Sequence, residues 1–169
     1  IVNNAALICC KPIEEVTHED WDRLFSVNVK AAFFIVLAAL PWLRQSKGSI
    51  INVSSINRLV NAPHNFVYDT MKAALNHLTR GLALDLLQDR IRVNAIMPGG
   101  TATPMLNNWL TLQSGEGKES DHGYEAVMAA DHVAVPMQIA DVILLLASDR
   151  SSWINGAEIP VDGGYFLAR

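Results

Sequence analysis

The sequence has two cysteines, Cys9 and Cys10, and they are adjacent. Neighbouring cysteines build no disulfide framework and match no zinc spacing, so reduced thiols are expected. The five histidines are scattered, with no pair at ligand spacing, and no metal is expected. No run of Lys or Arg occurs and the formal charge is −4, which argues against a nucleic-acid partner. The most apolar segment, Ala31–Leu43, is too short to cross a membrane and holds Pro41. No basic stretch leads into an apolar core and cleavage site, so the reading is no signal peptide, no membrane and a cytoplasmic location. No Gly-x-Ser-x-Gly elbow surrounds Ser54 or Ser55, which disfavours a serine hydrolase. Repeats and low-complexity tracts are also lacking.

What is present is apolar and ordered. Half of the 169 residues are hydrophobic and 18% are charged, the balance of a packed α/β domain. One domain over residues 1–169 is expected. Ser49–Ser55 and Ile91–Met97 read as buried strands, and Glu158–Val161 as a final one. Ile1–Ala6 reads as the end of another. Between them lie helical patterns. One starts at Thr17, a good N-cap with Asp20 in capping-box position, and carries Trp21, Leu24, Phe25, Val27 and Asn28 inward. A second runs from about Asn65 to Leu87, and a third over Gln138–Ser148. The alternation predicts a partial, doubly wound, Rossmann-like parallel sheet with helices on both faces. Right-handed crossovers then bring Ser55 and Pro98-Gly99 to one edge.

Chemistry concentrates between Ser49 and Leu87. Tyr68 and Lys72 are four residues apart and share one helical face. A free phenol has a pKa near ~10 and is a poor proton donor or acceptor at neutral pH. An ammonium one turn away is expected to lower it and improve acid/base catalysis. A strand-end serine would hydrogen-bond the oxygen being protonated. Taken alone, Tyr-x-x-x-Lys is a weak signal, and an exposed Lys on a helix is usually a solvated charge.

The assembly is more specific. Ser55 lies thirteen residues before Tyr68, and with Lys72 it gives a Ser-x12-Tyr-x-x-x-Lys pattern that resembles the short-chain dehydrogenase/reductase family. Asn3-Asn4-Ala5-Ala6, Asn28 in Ser-Val-Asn-Val-Lys, Ile91-Arg92-Val93-Asn94 leading to Pro98-Gly99, and Val161-Asp162-Gly163-Gly164 follow in the family's order. The resemblance implies an NAD(P)-dependent oxidoreductase interconverting an alcohol and a carbonyl. It implies Tyr68 as acid/base, Lys72 as its modulator and a ligand of the nicotinamide ribose, Ser55 as the residue orienting the substrate oxygen, and Asn28 as support for a proton relay. It further implies cofactor contacts at Asn3, Ala5, Pro98, Gly99, Thr101 and Thr103, a small-molecule substrate, a substrate lid over residues 105–136, and a homo-oligomer. Trp109, Leu112 and Met128 either line a pocket there or simply pack. Read without the resemblance, Asn28 is a satisfied core amide and Asn3-Asn4 a strand-ending turn.

The sequence contains no Gly-x-x-x-Gly-x-Gly, the family's pyrophosphate-binding stretch, and the residue separating NAD from NADP is missing with it. Starting without Met inside a strand, the chain reads as the back part of a longer protein, with its first strand as an exposed edge. Two expectations follow: the catalytic portion of an oxidoreductase, or a non-catalytic fragment with a structural or oligomer-forming role. Asn57, Asn61, His64 and Asn65 near the site suggest a sugar, polyol or hydroxy-acid substrate, or are ordinary loop residues.

Overall fold

A computed structural model describes residues 1–114 and 133–168. Four parallel strands form one sheet in the order β1 (Val2–Asn3), β2 (Ser49–Val53), β3 (Arg92–Pro98), β4 (Glu158–Val161). Ile51 pairs with Val2 on one side and with Asn94 on the other, and Ile96 pairs with Ile159. β1 is therefore an edge, as its position in the sequence implied.

The pleat sorts side chains between two helical layers. On one face Ile50 and Val93 pack with Val36 and Leu43 of α2 (Ala31–Ser46) and with Ala83 of α3 (Phe66–Asp85). On the other face Ile51, Val53 and Ile96 meet Ile139 and Leu146 of α5 (Pro136–Ala147). Both faces of the inner strands are covered, which is why they read as mostly apolar rather than alternating, each interrupted by one buried asparagine, Asn52 and Asn94. Each fully buried Ile or Val contributes roughly 1.5–3 kcal/mol. Arg92 crosses to the end of α5, where its guanidinium donates to the carbonyls of Leu146 and Ser148 at 2.9 and 3.1 Å. A cation there complements the carbonyl end of a helix.

α1 (His18–Phe25) starts on the expected cap: Thr17 Oγ1 accepts from the Asp20 amide, and the Asp20 carboxylate accepts from the Thr17 amide. A π-turn over Ser26–Lys30 joins α1 to α2. The stripe facing inward is Leu24, Asn28, Ala32 and Val36, whereas Trp21 and Phe25 are 41% and 43% exposed, contrary to the expectation that they enter the core. The combined helix, His18–Ser46, has the length and hydropathy of a membrane span, longer than Ala31–Leu43 alone suggests. Its buried stripe nevertheless locks onto the sheet and α3. Phe33, Phe34, Ile35, Leu37 and Trp42 remain exposed on its outer side. α4 (Pro104–Ser114) follows β3, and a single bridge pairs Thr101 with Ala134. The described parts of the expected lid are that helix and residues 133–136; Met128 lies outside the described residues.

Candidate active site

The site is built at the carboxyl edge of β2 and β3, where ligands bind in open parallel sheets. Strand β2 ends at Val53, and Ser54 and Ser55 turn the chain out of the sheet. Ser54 is a positioning group: its hydroxyl donates to the Lys72 carbonyl at 3.1 Å and so fastens α3 to the strand end. Ser55 caps a short 3₁₀ turn, Ile56–Arg58, by accepting from the Asn57 amide at 3.1 Å. The Ser55 side chain also lies beside the Tyr68 phenol, close enough to pull its pKa down.

Tyr68 and Lys72 sit one turn apart on α3. The ammonium of Lys72 lies 5.4 Å from the centre of the Tyr68 ring. Its Nζ donates to the Val53 carbonyl at 2.8 Å, and the side chain is 2% exposed. Burial pulls the Lys72 pKa down to about 8. Burial likewise pushes the Tyr68 phenol up to about 12; the Ser55 side chain works against this and the Asp69 charge adds to it. The phenol pKa therefore stands above its ordinary value rather than below it, because desolvation of the phenolate dominates.

Asn28 is 2% exposed and lies in the π-turn. Its Oδ1 accepts from the Leu7 amide at 2.8 Å and its Nδ2 donates to the Leu7 carbonyl at 2.9 Å. One side chain thereby satisfies both backbone groups of the loop leaving β1. A distorted helix segment is the means of presenting that amide, since π-turns re-aim a residue relative to the regular ladder.

The remaining predicted contacts divide. Asn3 donates from Nδ2 to Asn52 Oδ1 at 2.8 Å, so its side chain ties β1 to β2, while Ala5 is exposed beyond the strand end. Pro98, Gly99 and Thr101 line the end of β3 and are partly buried. The Thr101 hydroxyl donates to the Gly99 carbonyl and the Thr103 hydroxyl to the Thr101 carbonyl, both at 3.2 Å. These hydroxyls hold the turn. The polar loop residues do not form a substrate cradle as a group: Asn57 and Asn65 both donate to the Asp69 carboxylate, and His64 accepts the Lys11 amide through its carbonyl. Leu112 lines a cleft of about 190 Å³ with Leu7, Cys9, Cys10 and Leu24, beside the Lys11–Asp20 ion pair.

The donor set fits the nicotinamide half of a dinucleotide. Lys72 Nζ uses one of its three N–H groups on Val53, and the other two suit a ribose diol. The partly buried Pro98–Thr101 turn offers backbone beside it.

A family described as enoyl-(acyl carrier protein) reductase matches residues 1–166. The chain belongs to the short-chain dehydrogenase/reductase family. It is 38% identical over 166 residues to cyclopentanol dehydrogenase of Comamonas testosteroni, and 39% identical over 171 to the hydroxynaphthalene reductase-like protein Arp2 of Metarhizium anisopliae. These alignments take in 98% and 97% of this chain and 64% of each relative, so the chain spans under two thirds of their length. Among solved structures, levodione reductase superposes with a TM-score of 0.87 at 26% identity, covering 99% of this chain and 66% of that one. 4-Hydroxyisoleucine dehydrogenase complexed with NADH and succinate gives 0.82 at 25% identity, over 97% and 66%. ElxO with NADP bound gives 0.82 at 26%, over 99% and 66%.

The signal missed in the sequence was Asp69. An acid in the first turn of a helix, preceded by three asparagines in the adjoining loop, two of which donate to it, marks a carboxylate that gathers amides.

Proposed function

We propose that this chain supplies the catalytic half of an NAD(P)-dependent oxidoreductase that interconverts an alcohol and a carbonyl. The observation that carries this reading is the convergence of Ser55, Tyr68 and Lys72, with Lys72 one turn from Tyr68 and 5.4 Å from its ring, at the edge of a parallel sheet. The nicotinamide, when bound, supplies or accepts the hydride. In the reducing direction Tyr68 gives its phenolic proton to the carbonyl oxygen, and in the oxidising direction it takes the alcohol proton. Ser55 holds that oxygen beside the phenol. Lys72, charged below its pKa of about 8, stabilises the phenolate formed after proton transfer and holds the ribose hydroxyls. Asn28, fixed against Leu7, keeps the neighbouring proton route in place. Pro98, Gly99 and Thr101 act through backbone, and Asn3 and Ala5 shape the adjoining strand end.

The substrate is a small alcohol or carbonyl compound, because the relatives are named for compounds of that kind. The likeness to NADH- and NADP-bound structures supports a nicotinamide cofactor without choosing between the two. The chain is read as one domain over residues 1–169, with α4 beginning a substrate-covering segment over 105–136. A cytoplasmic homo-oligomer is the expected form, supported by the outward Phe33, Phe34, Ile35, Leu37 and Trp42 of α2.

A second reading, a non-catalytic fragment with a structural or oligomer-forming role, is favoured by the open sheet edge at β1. Fluorescence titration of the 169-residue chain with NADH and NADPH separates the two. Saturable binding supports the catalytic reading and selects the cofactor. A folded chain that binds neither supports the fragment.

A further inference from the structure

Ten residues connect Ser55 to Phe66, and most of them are partly or fully exposed. Ile56 is buried, but between it and Asn65 the segment has no fully buried side chain. Apolar burial therefore does not fix this segment, although it carries Ser55 to the site and leads into Tyr68. What holds it is one carboxylate. Asp69, 4% exposed, accepts at Oδ1 from Asn57 Nδ2 at 2.9 Å and from Asn65 Nδ2 at 3.1 Å. Its Oδ2 accepts from the Ala62 amide at 3.1 Å. The three donors come from the start, middle and end of the connection.

Asn57 links this clasp to the chemistry. Its side chain holds Asp69, and its backbone amide donates to Ser55 Oγ at 3.1 Å. With that acceptor position filled, the Ser55 proton is left to point at the phenol oxygen or at a substrate oxygen bound there. All three donors to Asp69 are neutral, and among the described residues no cation forms an ion pair with it. Burial pushes its pKa up and the three donors pull it back, so the anion is kept by hydrogen bonds.

We propose that Asp69 is a positioning residue, whose carboxylate clasps the Ser55–Asn65 connection and, through Asn57, sets the Ser55 hydroxyl against Tyr68. This rests on the oxidoreductase reading for its effect on rate, while the clasp itself is independent of it. A purely electrostatic role predicts the opposite sign. The Asp69 charge raises the phenol pKa, so removing it would ease phenolate formation and hold or raise the rate.

The test compares Asp69→Ala, Asp69→Asn, Asn57→Asp and the exchanged pair Asn57→Asp/Asp69→Asn, in a form of the protein that turns over. Asp69→Ala is expected to lower kcat about tenfold to a hundredfold with the cofactor KM within about twofold. Amide exchange at Asn57 and Ala62 should speed up by about tenfold or more, with β2 and β3 unchanged. Asn57→Asp faces two carboxylates and should lose as much. The exchanged pair restores a donor opposite an acceptor at the Asn57 contact but sets the new amide nitrogen against Asn65 Nδ2, so kcat should recover in part, rising above that of Asn57→Asp alone. An unchanged or raised kcat in Asp69→Asn, unchanged loop exchange, or no recovery in the exchanged pair overturns the proposal. If Asp69→Ala does not fold, the near-isosteric Asn variants decide. If the parent turns over no substrate with either cofactor, the oxidoreductase reading has failed. Loop exchange then decides the clasp on its own: acceleration supports it and no change overturns it.

Discussion

Lys72 Nζ donates to the carbonyl of Val53 across the α3–β2 interface at 2.8 Å, with its ammonium sealed from solvent. The ammonium charge destabilises the fold. The folded pKa is about 8, below the ordinary lysine value of 10.5, so between those values the unfolded chain binds more protons. Stability should therefore rise as pH climbs from about 8 towards 10.5, by on the order of 3 kcal/mol from this residue. Tyr68 acts in the opposite sense: its raised pKa keeps the folded phenol protonated while the unfolded one ionises, and stability falls as pH passes from 10 towards 12. Denaturant titrations at stepped pH should show the rise in the parent and its loss in Lys72→Met. A flat parent profile between 8 and 10 would contradict the buried ammonium.

Tyr68→Phe removes the one phenol placed beside Ser55 and leaves the ring in its packing with the Val67–Met71 cluster. General acid/base catalysis typically contributes about 10²–10⁴-fold, and kcat is expected to fall by that much. Thermal unfolding should move by no more than a few degrees, and cofactor fluorescence titration should remain saturable. A variant that keeps most of its kcat would remove Tyr68 from the acid/base role.

Asn28 satisfies the Leu7 amide and carbonyl together, from a π-turn. Asn28→Ala leaves both buried groups and a cavity, at about 1–3 kcal/mol for each unsatisfied group. The midpoint of thermal unfolding should drop by several degrees. Asn28→Asp keeps the acceptor for the Leu7 amide but loses the donor, placing an oxygen against the Leu7 carbonyl, and should be nearly as damaging. If Asn28→Ala unfolds at the parent temperature, the amide is not the tie between the β1 loop and the helix.

Much of the scaffold was legible. β4 falls on Glu158–Val161, and the Thr17–Asp20 cap and the Tyr68–Lys72 face stand as their residue types implied. The errors have physical causes. Trp21 and Phe25 fit helical spacing with Leu24, but α1 turns a narrower stripe inward and the π-turn resets its phase before α2. For Asn57 and Asn65 the sequence left substrate ligand and loop residue both open, because loop amides have no periodicity that reveals a partner; theirs is a carboxylate on the next helix. The phenol pKa is raised rather than lowered because burial, which a sequence does not give, dominates it.

Gly99 closes the end of β3 against Asp162, the residue after β4. A Cβ there would lie 2.8 Å from Asp162 Cβ and 3.0 Å from its Cα, inside any tolerated contact. Asp162 cannot simply rotate aside: its carboxylate accepts from the Gly164 amide at 3.0 Å and the Phe166 amide at 2.9 Å, and the Gly99 amide donates to the Val161 carbonyl at 3.1 Å. Backbone must therefore move, and Gly99→Ala should cost about 1–3 kcal/mol. Displacing the Pro98–Thr101 turn should also weaken nicotinamide binding in titration. Gly81→Ala is the control. It lies in α3 with nothing within 4 Å of the added carbon, and it should stabilise by about 0.5–1 kcal/mol through the backbone entropy of the unfolded chain. Equal melting temperatures for the two variants would mean that the β3–β4 ends have room the structure does not show. A destabilised Gly99→Ala beside a stabilised Gly81→Ala would place the constraint at the strand ends that frame the site.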